Sequence, residues 1–114
     1  MKDMVDSLPG IERIKQRFLS LLQERQTTIA HHVLTAWDST DPTEAAGELE
    51  AAQGILHQIA GSAGSLGFHD LGQTARDSEN AIIAYLRDPS AKLIDVMSLI
   101  DSFVAKGQTL IAEH

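Results

Sequence analysis

Apolar positions along the chain fall into four stretches of helical period, separated by short breaks. In the first, from about Pro9 to Trp37, Ile11, Ile14, Phe18, Leu21, Leu22, Ile29, Val33 and Trp37 lie near one stripe with steps of three and four. "DSTDPTE" interrupts the pattern, and Asp41, Pro42 and Glu44 read as N-cap, first-turn proline and capping-box acid of a second helix. That helix is predicted from about Pro42 to Leu66, with Leu49, Ala52, Leu56, Ile59, Ala63 and Leu66 as a bundle-core seam. Gly67 followed by Phe68 reads as a glycine stop with an apolar residue just beyond it. A third helix over roughly His69 to Arg87 turns Leu71, Ala75, Ile82 and Leu86 inward. Asp88 and Pro89 then read as cap and first turn of a fourth helix presenting Leu93, Val96, Ile100, Phe103, Gly107 and Leu110. No alternating strand pattern competes. Long helices joined by short connections favour antiparallel neighbours, so the expected fold is all-α, an antiparallel up-down four-helix bundle, with residues 1–114 as a single domain.

The seam leaves one residue conspicuous. A helix turns about 100° per residue, so His57 stands that far from the seam residue Leu56 and should point to solvent. Its neighbours at three, four and seven positions are Gln53, Gly54, Ala60, Gly61 and Gly64. This face has lost its bulky side chains while the core face keeps them. Gly54, Gly61 and Gly64 together cost about 2 to 3 kcal/mol of helix propensity, a sizeable share of a typical stability of roughly 5 to 15 kcal/mol. Two explanations fit: close packing of a neighbouring helix, or close approach of another protein to the imidazole. Their position off the seam favours the second.

Composition narrows the chemistry. The chain has no cysteine, which removes disulfides, thiolate metal sites and cysteine nucleophiles. Nine Lys and Arg stand against sixteen Asp and Glu, for a net charge of -7, and none of the nine lies between Arg25 and Arg76. Nucleic acids and anionic membranes call for a cationic surface that is missing here. The amino end lacks the apolar segment of a secretory signal, and "AIIAYL" is too short to span a bilayer. A cytoplasmic location is expected, and the start at Met1 is in keeping with a free-standing protein.

"HQIAGSAGSLGF", from His57 to Phe68, resembles the signature of histidine-containing phosphotransfer (HPt) domains. The matching positions are His57, Ile59, Gly61, Gly67, Phe68 and Leu71, and the four-helix pattern fits the family over essentially the whole chain. The resemblance implies that His57 accepts a phosphoryl group from a receiver-domain aspartate and passes it to another receiver. The implied protein is a phosphocarrier without ATP binding or kinase activity. Its implied partners are response-regulator receivers and a hybrid sensor histidine kinase. Mg²⁺ would sit on the receiver, leaving this chain without a cofactor or metal of its own. Gln53, Gly54, Gln58, Ala60, Gly61 and Gly64 would form the docking face of a monomer. Many members carry a lysine three residues after the histidine; here that position is Ala60. Gln53 and Arg76 are the candidate neighbours of the phosphoryl group, and Glu79 lies on the third helix in an orientation the sequence leaves open.

An alternative is a module that docks a receiver or sensor kinase without being phosphorylated. A bundle holding a metal or haem would need inward ligands, whereas the inward positions here are aliphatic or aromatic. Adjacent His31 and His32 point about 100° apart and cannot chelate one ion; they read as surface residues, with His69 at a helix boundary and His114 at the chain end. Trp37 reads as a core residue or end plug. Asp38, Asp41, Glu44, Glu48 and Glu50 read as a solvated acidic region.

Overall fold

The structure, a computed structural model, describes residues 10–88 and 90–114. Four helices follow one another: α1 (Ile11–Asp38), α2 (Pro42–Ser65), α3 (His69–Arg87) and α4 (Leu93–Glu113), with no strand among the described residues. Packing runs around a ring, α1 on α2 and α4, and α3 on α2 and α4. Gly72 near the start of α3 lies against Ala60 and Gly64 late in α2, while Glu79 further along meets Gln53 and His57 earlier in α2. The two helices therefore run in opposite directions, and the molecule is an antiparallel four-helix bundle about 49 Å long.

The α2 seam is buried as its spacing predicts: Leu49, Ala52, Leu56, Ile59 and Ala63 have essentially no exposure. On α1 the buried stripe is Ile11, Phe18, Leu19, Leu22, Gln26, Ile29, Val33 and Ala36. Three residues assigned to it lie outside: Leu21 is half-buried, and Trp37 and Ile14 are exposed. Trp37, the penultimate residue of α1, is 50% exposed, although it is in phase with buried Leu19 about five turns earlier. Ile14 is 54% exposed and borders the groove described below. Leu86, Leu93 and Leu110 are half-buried.

Local chemistry sets the helix ends. Asp41 caps α2, its carboxylate accepting from the Thr43 amide at 2.9 Å, with Pro42 in the first turn. The reciprocal half of the capping box is replaced: the Asp41 amide donates to Ser39 Oγ, not to Glu44. At the other end of α2 the Phe68 amide donates to Ala63 O at 2.8 Å and the Gly67 amide to Gly64 O at 3.3 Å, with Gly67 at φ 86°. This is a Schellman stop, and glycine is what the left-handed turn requires. It lays the Phe68 ring on Phe18, centroids 5.6 Å apart, closing the bundle end.

Asp88 does not cap α4. It follows α3 as C-cap, and its carboxylate accepts from the Ser90 hydroxyl and amide, which hold its pKa below the ordinary value. The fourth helix starts later, at Leu93, and its N-cap, Lys92, makes no side-chain capping bond. Pro89 and the proposed start at Pro9 lie outside the described residues.

One polar group sits in the α1–α4 interface. Gln26 is 2% exposed; its amide donates to Val104 O and accepts from Gln108. Gly107 packs directly beneath it, and a Cβ built there would overlap Gln26 Nε2. Gly107→Ala should therefore lower the unfolding free energy by about 1 to 2 kcal/mol through overpacking. In a Gln26→Ala background the same change should stabilise, since alanine is the better helix former by about 1 kcal/mol. Urea denaturation of the four proteins checks this; additive effects would contradict it.

Candidate functional site

His57 follows the buried Leu56, and the helical turn carries its side chain to 74% exposure. The ring is held from one side. Its Nδ1 lies 2.9 Å from Oε2 and 3.2 Å from Oε1 of Glu79 on α3. Glu79 is only 8% exposed and receives a second hydrogen bond from the Gln53 amide, 2.8 Å from Oε2. An ionised carboxylate can only accept, so Nδ1 carries the ring proton. That choice leaves the lone pair on Nε2, the atom on the far edge of the ring. Donors from Gln53 and His57 together satisfy a carboxylate whose burial would otherwise be costly.

The glycines near His57 divide into two kinds. A Cβ added at Gly54, Gly61 or Gly64 would meet nothing within 4 Å. Helix packing therefore does not account for them, and they leave α2 bare on its open side. Gly72 is different. Its Cβ would come within 3.3 Å of Ala60 O and 3.4 Å of Gly64 N, so this glycine sets how closely α3 approaches α2.

Two residues of the expected face sit elsewhere. Ala60 is 5% exposed, because it turns toward α3 where Gly72 packs on it, and it offers no docking surface. Gln53 is half-buried, and its amide donates to Glu79. Gly54, Gln58, Gly61 and Gly64 are exposed as expected. Arg76 is exposed and shares with His57, Ala60, Gly61, Glu79 and Asn80 a cavity of about 320 Å³ between α2 and α3. On the other side a groove of about 760 Å³ between α1 and α2 brings Ile14, Phe18, Leu21 and Leu66 together with Arg17 and Arg25. His57 stands on the ridge between these two depressions.

Glu79 was the residue of this constellation least legible beforehand, yet it left a trace in the sequence. It falls on the inward stripe of α3, between Ala75 and Ile82, where an apolar residue would be ordinary. The other histidines are not part of this site. His32 is half-buried and its Nδ1 pairs with Glu48 across α1 and α2, so neither is a freely solvated side chain. His114 stacks edge-on against Phe68, and His31 and His69 are exposed. Among the described residues no cluster of three or more His, Asp or Glu is placed to hold a metal ion.

An exposed histidine on the second helix of an antiparallel bundle now meets an independent finding. The Hpt domain family profile matches residues 13–109, most of the chain. This chain belongs to the Hpt domain family. No curated protein and no solved structure was found to match it. Hpt domains serve histidine phosphotransfer in two-component phosphorelays, as phosphocarriers without kinase or ATP-binding activity, and they interact with receiver domains and kinases. No helix among the described residues is long and apolar enough to cross a membrane.

The two kinds of glycine in this Hpt domain should respond oppositely to substitution. Gly61→Ala should raise the unfolding free energy by about 0.5 to 1 kcal/mol, since the new methyl group meets open space. Gly72→Leu should lower it by about 1 to 3 kcal/mol by forcing α3 off α2. Chemical denaturation of both variants measures the contrast; equal effects of one sign would refute the division.

Proposed function

We propose that His57 is the phosphoryl acceptor, taking the group from the aspartyl phosphate of one receiver domain and delivering it to the aspartate of another. The observation carrying this reading is the pairing of His57 Nδ1 with buried Glu79 beneath an otherwise exposed ring. The Nε2 lone pair attacks phosphorus in line as the acyl-phosphate P–O bond breaks and the receiver carboxylate leaves. The ring keeps its Nδ1 proton and becomes cationic, with the Glu79 carboxylate against that proton. In the onward step the P–N bond breaks, the receiver aspartate takes the phosphoryl group, and the ring returns to neutral. No proton has to enter or leave in either direction.

The bare ridge and the adjoining groove suit a docked receiver. Gly54, Gly61 and Gly64 allow its backbone close to the ring, and exposed Ile14 with half-buried Leu21 offers apolar contact between Arg17 and Arg25. Mg²⁺ is assigned to the receiver and none to this bundle. A hybrid sensor kinase upstream, a cytoplasmic location and a monomeric carrier complete the reading.

Transfer from a phosphorylated receiver tests it. His57→Gln should abolish acid-labile, base-stable labelling while leaving helical circular dichroism unchanged. Gly64→Leu should slow transfer by about tenfold to a hundredfold by displacing the docked partner, with stability held or raised. Undiminished labelling of His57→Gln would move the acceptor elsewhere. Receiver binding without any labelling of the unmodified chain would make it a non-phosphorylated docking module.

A further inference from the structure

A phosphoryl group on Nε2 would bring up to about two negative charges to a chain of net charge -7, above the buried Glu79 carboxylate. Helix α2 contains no Lys or Arg to offset them. Compensation must come from a neighbouring helix. The cavity beside His57 on the α3 side is bordered by one cationic side chain, Arg76, and one neutral amide, Asn80. These two residues are four apart and share a face of α3. Neither side chain makes a hydrogen bond or ion pair with any described residue. Gly72, one turn before Arg76, brings α3 nearly as close to α2 as the two backbones allow. A long side chain from the next turn therefore reaches the level of His57. Arg17 and Arg25 border the groove on the α1 side, which His57 also lines, but that groove is wide, about 760 Å³, against about 320 Å³ for the cavity Arg76 and Asn80 share with the ring.

We propose that Arg76 and Asn80 form the phosphoryl-oxygen site of phosphorylated His57, Arg76 as the counter-cation and Asn80 Nδ2 as a second donor. The inference rests on the reading of His57 as acceptor and adds to it what stabilises the phosphorylated state. No bond is made or broken at either residue; both act on the charge of the bound group. Guanidinium suits this task because its fork of N–H donors matches two phosphoryl oxygens at once. The site is open to solvent, so its contribution is that of a screened surface pair.

The test uses potassium phosphoramidate as a small phosphoryl donor. Its P–N bond breaks as the bond from Nε2 to phosphorus forms, and ammonia leaves. ³¹P NMR in the presence of added ammonium reads the equilibrium constant. Arg76→Ala should lower that constant about two- to fivefold, Arg76→Lys should recover part of the loss, and Arg76→Ala/Asn80→Ala should lower it further. Arg87→Ala, the same charge change at the far end of α3, should match the unmodified protein. Added salt should shrink the gap between the unmodified protein and Arg76→Ala. A folded double variant with an unaltered constant overturns the inference and leaves the acceptor reading intact. Absence of phosphohistidine on the unmodified chain, or equal labelling of His57→Gln, overturns both.

Discussion

The hydrogen bond from His57 Nδ1 to Glu79 is the interaction on which the proposed role of this bundle depends. It crosses from α2 to α3, joins the most exposed part of the site to one of its most buried, and decides which ring nitrogen is free. Imidazole is a useful nucleophile only at an unprotonated nitrogen, and either nitrogen of a solvated ring can carry the proton. By placing an acceptor under Nδ1, the fold aims the lone pair outward. In the proposed transfer the same carboxylate would face the positive ring of phosphorylated His57, so one contact would serve both states.

That bond requires α2 and α3 at a fixed separation and register, and the rest of the packing supplies them. Gly72 removes the side chain that would hold the helices apart. Leu56 and Ile59 anchor α2 on either side of His57, and Ala75 and Ile82 do the same for Glu79 on α3. Gln53 fixes the carboxylate from the remaining direction. The open face follows another logic. Gly54, Gly61 and Gly64 forgo helix propensity without any packing return inside this chain. On the proposed reading stability is given up there for access, and the seam, by keeping its large residues, makes this tolerable.

Much of this was legible in the sequence, for definite physical reasons. The α2 seam has an unbroken rhythm of three and four, so burial at Leu49, Leu56, Ile59 and Ala63 and the outward turn of His57 follow from helix geometry alone. The glycine stop at Gly67 is equally local in origin. Errors arose where tertiary context outweighed local pattern. Ala60 shares a helix face with the exposed glycines, but the closeness of α3 buries it, and that closeness depends on Gly72 in another segment. Asp88 followed by proline looks like a helix start, yet its carboxylate is taken by Ser90 and α4 begins later. Trp37 and Ile14 have the spacing of the α1 stripe but stay exposed, Trp37 at the end of its helix and Ile14 at the edge of the open groove. Gln53 and Glu79 meet across two helices, a pairing that no single-helix periodicity contains.

The central claim concerns a proton, so the most direct measurement locates it. Long-range ¹H–¹⁵N NMR correlations of the His57 ring, recorded at a pH where the imidazole is neutral, distinguish Nδ1–H from Nε2–H. The account predicts the Nδ1–H form in the unmodified chain and its loss in Glu79→Ala. A ring protonated at Nε2, or the same tautomer with and without the Glu79 carboxylate, would contradict it.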